Sequence, residues 1–215
     1  RMKTGPRFPA GGPPPAESAP DLAARARALG LAIRDGLVVV PFFGRPLLVS
    51  AGEVCAPDGA PATPAVADLL RDYLARAAVP PRPLAEHRSF RDFAGAGPLV
   101  LRFADHTHHL IARAFTGRLE DLRQACRSLG AQRAPAPWGA DLEMRFEALP
   151  AVPLHLAFND GEEGLPAQCR LLFEASVEAA LSPGSRFTLG TYLAGALLRF
   201  PAEPTAGHPA PGQSP

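Results

Sequence analysis

Cysteine is scarce in this chain: Cys55, Cys126 and Cys169 stand far apart, with no C-x-x-C pair among them. That count excludes a disulfide framework and any self-contained four-cysteine zinc or iron–sulfur site, and it points to reduced thiols. Lysine is scarcer still, because Lys3 is the only one, so arginine carries almost all the positive charge. Arginine suits bidentate recognition of anions, although its company of abundant Ala, Pro and Gly also fits a GC-rich coding bias. Long apolar runs are missing as well. The longest, Leu37–Phe43, is too short to span a bilayer and Pro41 interrupts it. No apolar stretch of the signal-peptide kind follows Arg1-Met2-Lys3-Thr4-Gly5-Pro6. The expectation is a cytoplasmic protein with no membrane partner.

An excess of charge of either sign is also absent. The chain has 22 basic and 21 acidic residues, a formal net charge of +1. Arg1, Lys3 and Arg7 against Glu17 and Glu203 account for that surplus, which leaves residues 21–200 neutral with 19 of each sign. A nucleic-acid binder needs a positive field to displace counterions from phosphates, so nucleic acid is not an expected partner. The sequence lacks G-x-x-x-x-G-K-[ST], G-x-G-x-x-G after a strand, and a G-x-S-x-G elbow. Phosphate-loop NTPase, dinucleotide-dependent dehydrogenase and α/β-hydrolase readings therefore have no foothold.

Proline is what the chain has in excess. Of 26 prolines in 215 residues, six fall in residues 1–20 and five in residues 201–215. Both segments read as disordered Pro-rich tails, and residues 21–200 as a single domain large enough to bury a core.

Within that domain the spacing predicts an α+β fold. Asp21 caps a helix over Leu22–Leu29 that Gly30 ends. Leu37–Phe43 and Pro46–Val49 flank Gly44-Arg45 as a hairpin, with Pro41 at an edge or bulge. Thr63-Pro64 is an N-cap with proline at the first helical position, followed by Val66, Leu69, Leu70, Tyr73, Leu74 and Ala77 on one face. Pro80-Pro81-Arg82-Pro83 reads as a stiff connector. Leu99, Leu101 and Phe103 alternate as in a strand, and His108–Phe115 looks helical. Thr116 caps a further helix with Leu119, Leu122, Cys126 and Leu129 in its stripe. Strands follow at Leu142–Ala148, Val152–Phe158 and Cys169–Glu174, then a last helix over Ser185–Leu198. This describes a largely antiparallel mixed sheet of about six strands with helices packed on one face. The echo of Leu70-x-x-Tyr73-Leu74 in Leu189-x-x-Tyr192-Leu193 is compatible with a duplicated hairpin–helix unit, and equally with ordinary packing chemistry.

Three constellations could carry chemistry. The loop Asn159-Asp160-Gly161-Glu162-Glu163-Gly164 sets three carboxylates between apolar strands, as a hard cation would need or as a solvated hairpin tip would show. Asp105-His106-Thr107-His108-His109 clusters imidazoles that could ligate a transition metal, whereas Asp105 or Thr107 also suits an N-cap. His155 alternates against its apolar neighbours, and Arg170 and Glu174 share a face of the partner strand. Together they would form a polar groove for an anion or for acid–base work, or a satisfied ion pair. Cys126 lies on a helical core stripe and reads as inert.

An ordered set of blocks carries a resemblance: Phe42-Phe43-Gly44-Arg45, Leu69-Leu70-x-x-Tyr73-Leu74, Ser89-Phe90-Arg91-Asp92-Phe93, Leu149-Pro150-x-x-Pro153-Leu154, and Glu162-Glu163-Gly164-Leu165-Pro166-Ala167 before Leu171-Leu172-Phe173-Glu174. The chain resembles an uncharacterised domain-of-unknown-function family of anaerobic bacteria and archaea, some of whose members are joined to iron–sulfur modules. It departs from the family pattern in having Gly164-Leu165 where an aromatic precedes Pro-Ala, and in lacking cluster-ligating cysteines. The resemblance implies a context in anaerobic redox or one-carbon metabolism and directs attention to the acidic loop, Glu174, Ser89 and Arg91. The leading expectation is a non-catalytic binding or accessory domain for a protein partner or small-molecule ligand, with no self-contained cofactor site. The alternative is a small metal-assisted hydrolase or transferase using Asp160, Glu162 and Glu163 with His155.

Overall fold

The hairpin at Phe43-Gly44 shows how local chemistry sets the architecture. Both turn residues have positive φ, 47° at Phe43 and 73° at Gly44, as a two-residue type I′ connection requires. Glycine takes that conformation freely, but a bulky residue does not. Packing holds Phe43 there: its ring lies 5.4 Å from Tyr192 and 6.0 Å from Phe146, and its N–H donates to Ala148 O at 3.0 Å. That bond joins the two sheets of the protein.

A computed structural model describes residues 19–77, 86–134, 138–162 and 164–200. The expected tails and the Pro80–Pro83 connector lie outside the described residues. Helix α1 (Ala19–Ala28) leads into a four-stranded antiparallel meander of β1 (Ala32–Arg34), β2 (Leu37–Phe42), β3 (Arg45–Val49) and β4 (Val54–Cys55). Helix α2 (Pro64–Arg76) follows, then β5 (His87–Ser89), α3 (Val100–His106), α4 (His108–Phe115) and α5 (Leu119–Ser128). The chain continues through β6 (Gln132–Arg133), β7 (Leu142–Leu149), β8 (Val152–Asn159) and β9 (Gln168–Glu174), and ends in α6 (Val177–Ala180) and α7 (Pro183–Leu198). The second sheet is antiparallel in the order β5-β9-β8-β7-β6. The α+β class is as expected, with nine strands in two sheets among the described residues where the sequence pattern suggested about six in one.

Several caps follow from sequence. Thr63 accepts from Val66 N at 3.4 Å ahead of Pro64, and Gly30 ends α1 at φ 72°. Pro41 sits opposite Pro46, past the point where β1 stops pairing, so its missing N–H costs no ladder bond. Arg25 donates to the Leu74 and Ala77 carbonyls and so caps the end of α2. Helix α7 runs through the centre, packing on α2, α3, α4 and α5. Its Tyr192 stacks on Phe43, whereas Tyr73 is fully buried in α2 and donates to Pro150 O at 3.1 Å, so the echoed tyrosines occupy different environments.

Three local expectations are corrected. Leu99–Phe103 is helical, because Pro98 opens a 3₁₀ turn that feeds α3. Leu101 is 80% exposed and Phe103 1% exposed, so the helical stripe through Phe103 and Thr107 is the one that is buried, not an alternating face. Thr116 does not cap α5: its hydroxyl donates back to Ala112 O at 2.8 Å, while Arg118 holds the N-cap position. Thr107 holds the N-cap position of α4, one of the two residues expected there, but its hydroxyl donates back to Phe103 O at 2.6 Å instead of capping, and Asp105 faces His109.

Candidate functional site

The outer face of the second sheet gathers two histidines and a carboxylate from three strands. Register places His87 on β5 beside Glu174 on β9, and His155 on β8 between Leu172 of β9 and Arg145 of β7. His87 Nε2 and His155 Nε2 are 3.2 Å apart, and His155 Nε2 is 3.6 Å from Glu174 Oε1. One ligand atom from each of the three residues lies within 4.8 Å of the others. Among the described residues this is the group of metal-ligating side chains that converges. The spacing has a physical meaning: atoms about 2.0–2.2 Å from a common ion in a tetrahedral shell stand about 3.3–3.6 Å apart.

Burial makes the arrangement costly without a ligand. His155 is 5% exposed and Glu174 6% exposed. Glu174 Oε2, on the carboxylate that meets His155 Nε2, is buried with no hydrogen-bond partner, and unsatisfied groups of that kind are few in folded proteins. Burial, with the nearby His87 and Arg145 charges, pushes His155 down to about 4, and burial also lowers His87. Both rings are therefore held in the neutral form that ligates metals. Burial raises Glu174, opposed by Arg145 and reinforced by Glu147.

A clamp beside the site shapes one wall. Glu143 Oε1 accepts from Trp138 N at 3.1 Å and Ala140 N at 3.0 Å. The Trp138 ring then lies edge-on to His87, with centroids 4.9 Å apart, and 5.8 Å from His155.

Of the residues singled out in the sequence, His155 and Glu174 come together. Arg170 is on the same face of β9 but exposed, four residues from Glu174, and it lines a separate cleft with Ser89, Arg91, His108 and His109. Ser89 donates twice to Asp92 Oδ2, at 2.8 Å from its N–H and 2.7 Å from its hydroxyl, which hold the Asp92 carboxyl below its usual range. The acidic loop does not reach His155. Asn159 at the end of β8 is four residues on, about 13 Å along the strand. Asp160 Oδ1 accepts from Gly117 N at 2.7 Å and Gly161 N at 2.8 Å, which ties the loop to the turn between α4 and α5. Glu162 is exposed on a tight turn closed by paired backbone bonds with Leu165, and Glu163 lies outside the described residues.

The three clustered histidines diverge. His106 Nδ1 meets Arg102 O at 2.8 Å, His109 Nδ1 meets Asp105 Oδ1 at 3.0 Å, and His108 Nε2 accepts from Leu171 N at 3.1 Å. Cys55, Cys126 and Cys169 are free thiols, and burial pushes Cys126 and Cys169 far above the usual range.

His87 and Trp138 were not legible as site residues. The block Ser89–Phe93 begins two residues after His87, whose strand is only three residues long. The one available signal was the alternation of His87 and Ser89 about Arg88.

The family model of a domain of unknown function, DUF3786, matches residues 21–196. The chain belongs to that family. The DUF3786 match spans His87, His155, Glu174 and both sheets. No curated protein and no solved structure matches the chain. No helix among the described residues is long and apolar enough to cross a membrane.

Proposed function

We propose that the domain binds one divalent transition-metal ion through His87 Nε2, His155 Nε2 and the Glu174 carboxylate. The observation that carries this reading is the convergence of those three ligand atoms within 4.8 Å at a buried position. Two imidazoles and a carboxylate suit zinc, iron, cobalt or nickel better than calcium or magnesium, which prefer all-oxygen shells. Three protein ligands leave at least one coordination position for water or an external ligand. The domain then acts as a metal-binding module rather than through the acidic loop, whose Asp160 carboxylate is engaged by backbone N–H groups. The wider role as an accessory domain in anaerobic redox or one-carbon metabolism rests on the family resemblance alone.

Calorimetric titration of Zn(II) into the chelator-treated full chain tests this reading. One saturable site is expected, with H87A and E174Q each weakening it by at least about tenfold, the scale on which coordination partners act. Absence of a stoichiometric site, or equal affinity in both variants, would overturn it.

A further inference from the structure

A second site stands at the other end of β5 and needs no metal. β5 covers β9 only as far as Leu172, so residues 168–171 of β9 have no strand neighbour on that side among the described residues. Helix α4 packs there instead, and His108 Nε2 takes the place of a strand carbonyl by accepting from Leu171 N at 3.1 Å. Strand alternation aims the Cys169 N–H to the same side. Between this edge and α3 and α4 lies a cleft of about 410 Å³, within the range of small-molecule sites.

The walls are mostly apolar, with Val100, Phe103, Ala104 and Ala112 among them. The mouth is positive. Arg91 and Arg170 line it, and neither guanidinium makes an ion pair or hydrogen bond with another described residue. The neighbouring acids are already engaged, Asp92 by Ser89 and Asp105 by His109. His108 is held down to about 4 by burial and then by the positive charges of His109, Arg91 and Arg170, which agrees with an uncompensated positive field in the cleft.

We propose that this cleft binds a small organic carboxylate, its charge held by Arg91 and Arg170 and its apolar body against Phe103 and Ala112. Guanidinium pairs recognise carboxylates bidentately, and the apolar walls favour a ligand with hydrocarbon beyond its charged end over a bare inorganic anion. The proposal does not depend on metal at His87, His155 and Glu174.

Titrating benzoate and its neutral counterpart benzamide into the ¹⁵N-labelled full chain, followed by amide shifts, tests it. Benzoate is expected to shift the Cys169, Leu171 and Ala112 amides saturably, with Kd of about 1 mM or tighter. Benzamide, and benzoate with the R91Q/R170Q variant, are expected to bind at least about tenfold more weakly. Both arginines are exposed, so an unchanged melting temperature confirms that the variant folds. Any of three results would overturn the proposal. One is no saturable shift with about 10 mM benzoate. The others are equal binding of benzamide or of the variant, and shifts confined to amides away from the cleft.

Discussion

Replacing His108 with glutamine should flatten the acid sensitivity of the fold. His108 sits between α4 and the β9 edge, and its Nε2 must be unprotonated to accept from Leu171 N. Burial first, and then the charges of His109, Arg91 and Arg170, lower it from 6.5 to about 4. Above pH 6.5 the residue is neutral whether folded or unfolded, and its contribution is fully present. As pH falls towards 4, the unfolded chain gains a proton there that the native state refuses, so stability is lost across that window. At about 1.4 kcal/mol for each pH unit, the loss amounts to about 3 kcal/mol, an upper bound because the cleft admits water. Against a total stability of about 5–15 kcal/mol this is a large share. Glutamine keeps an acceptor for Leu171 N but does not titrate. Urea unfolding at a series of pH values, wild type against H108Q, should give curves that separate as pH falls from 6.5 towards 4, with wild type losing about 3 kcal/mol more than H108Q. His155, also pushed down to about 4, contributes equally to both proteins and cancels in the difference. Parallel curves from pH 7 to 4 would refute the reasoning.

Two further substitutions test the packing. A glycine-to-alanine change inside a helix ordinarily adds about 1 kcal/mol. At Gly190 in α7, however, the new Cβ would stand 2.4 Å from Phe103 Cε2, on a ring stacked 4.2 Å from Phe90. Overpacking of about 1–3 kcal/mol then wins, and G190A should lower the urea midpoint; an unchanged or raised midpoint would show that Phe103 can move. Y73F removes the donor to Pro150 O from a fully buried ring and should cost about 1–2 kcal/mol in the same assay, with wild-type stability counting against the bond.

Residues whose environment depends on near neighbours in the chain were legible in the sequence. The stripe of α2, its Thr63 cap and the β7–β8–β9 meander all follow from local periodicity and turn chemistry. Leu99–Phe103 was misread because three alternating apolar residues fit either period, and Pro98 decides the matter only by starting a turn. The site was half visible. His155 and Glu174 stand out as polar residues in apolar strands, and antiparallel pairing brings them together. His87 reaches them through a three-residue strand far from β8 and β9 in the chain, and so short a strand carries no periodic signal. The acidic loop looked like a site because its carboxylates are dense in sequence. In the fold, Asp160 spends its charge on the N–H groups of Gly117 and Gly161.

The most direct test of the metal site is anomalous diffraction at the zinc edge from crystals of the full chain grown with Zn(II). The account predicts one strong peak about 2.0–2.2 Å from His87 Nε2, His155 Nε2 and a Glu174 carboxylate oxygen. Zinc found only elsewhere, or no peak between those three side chains, would contradict it.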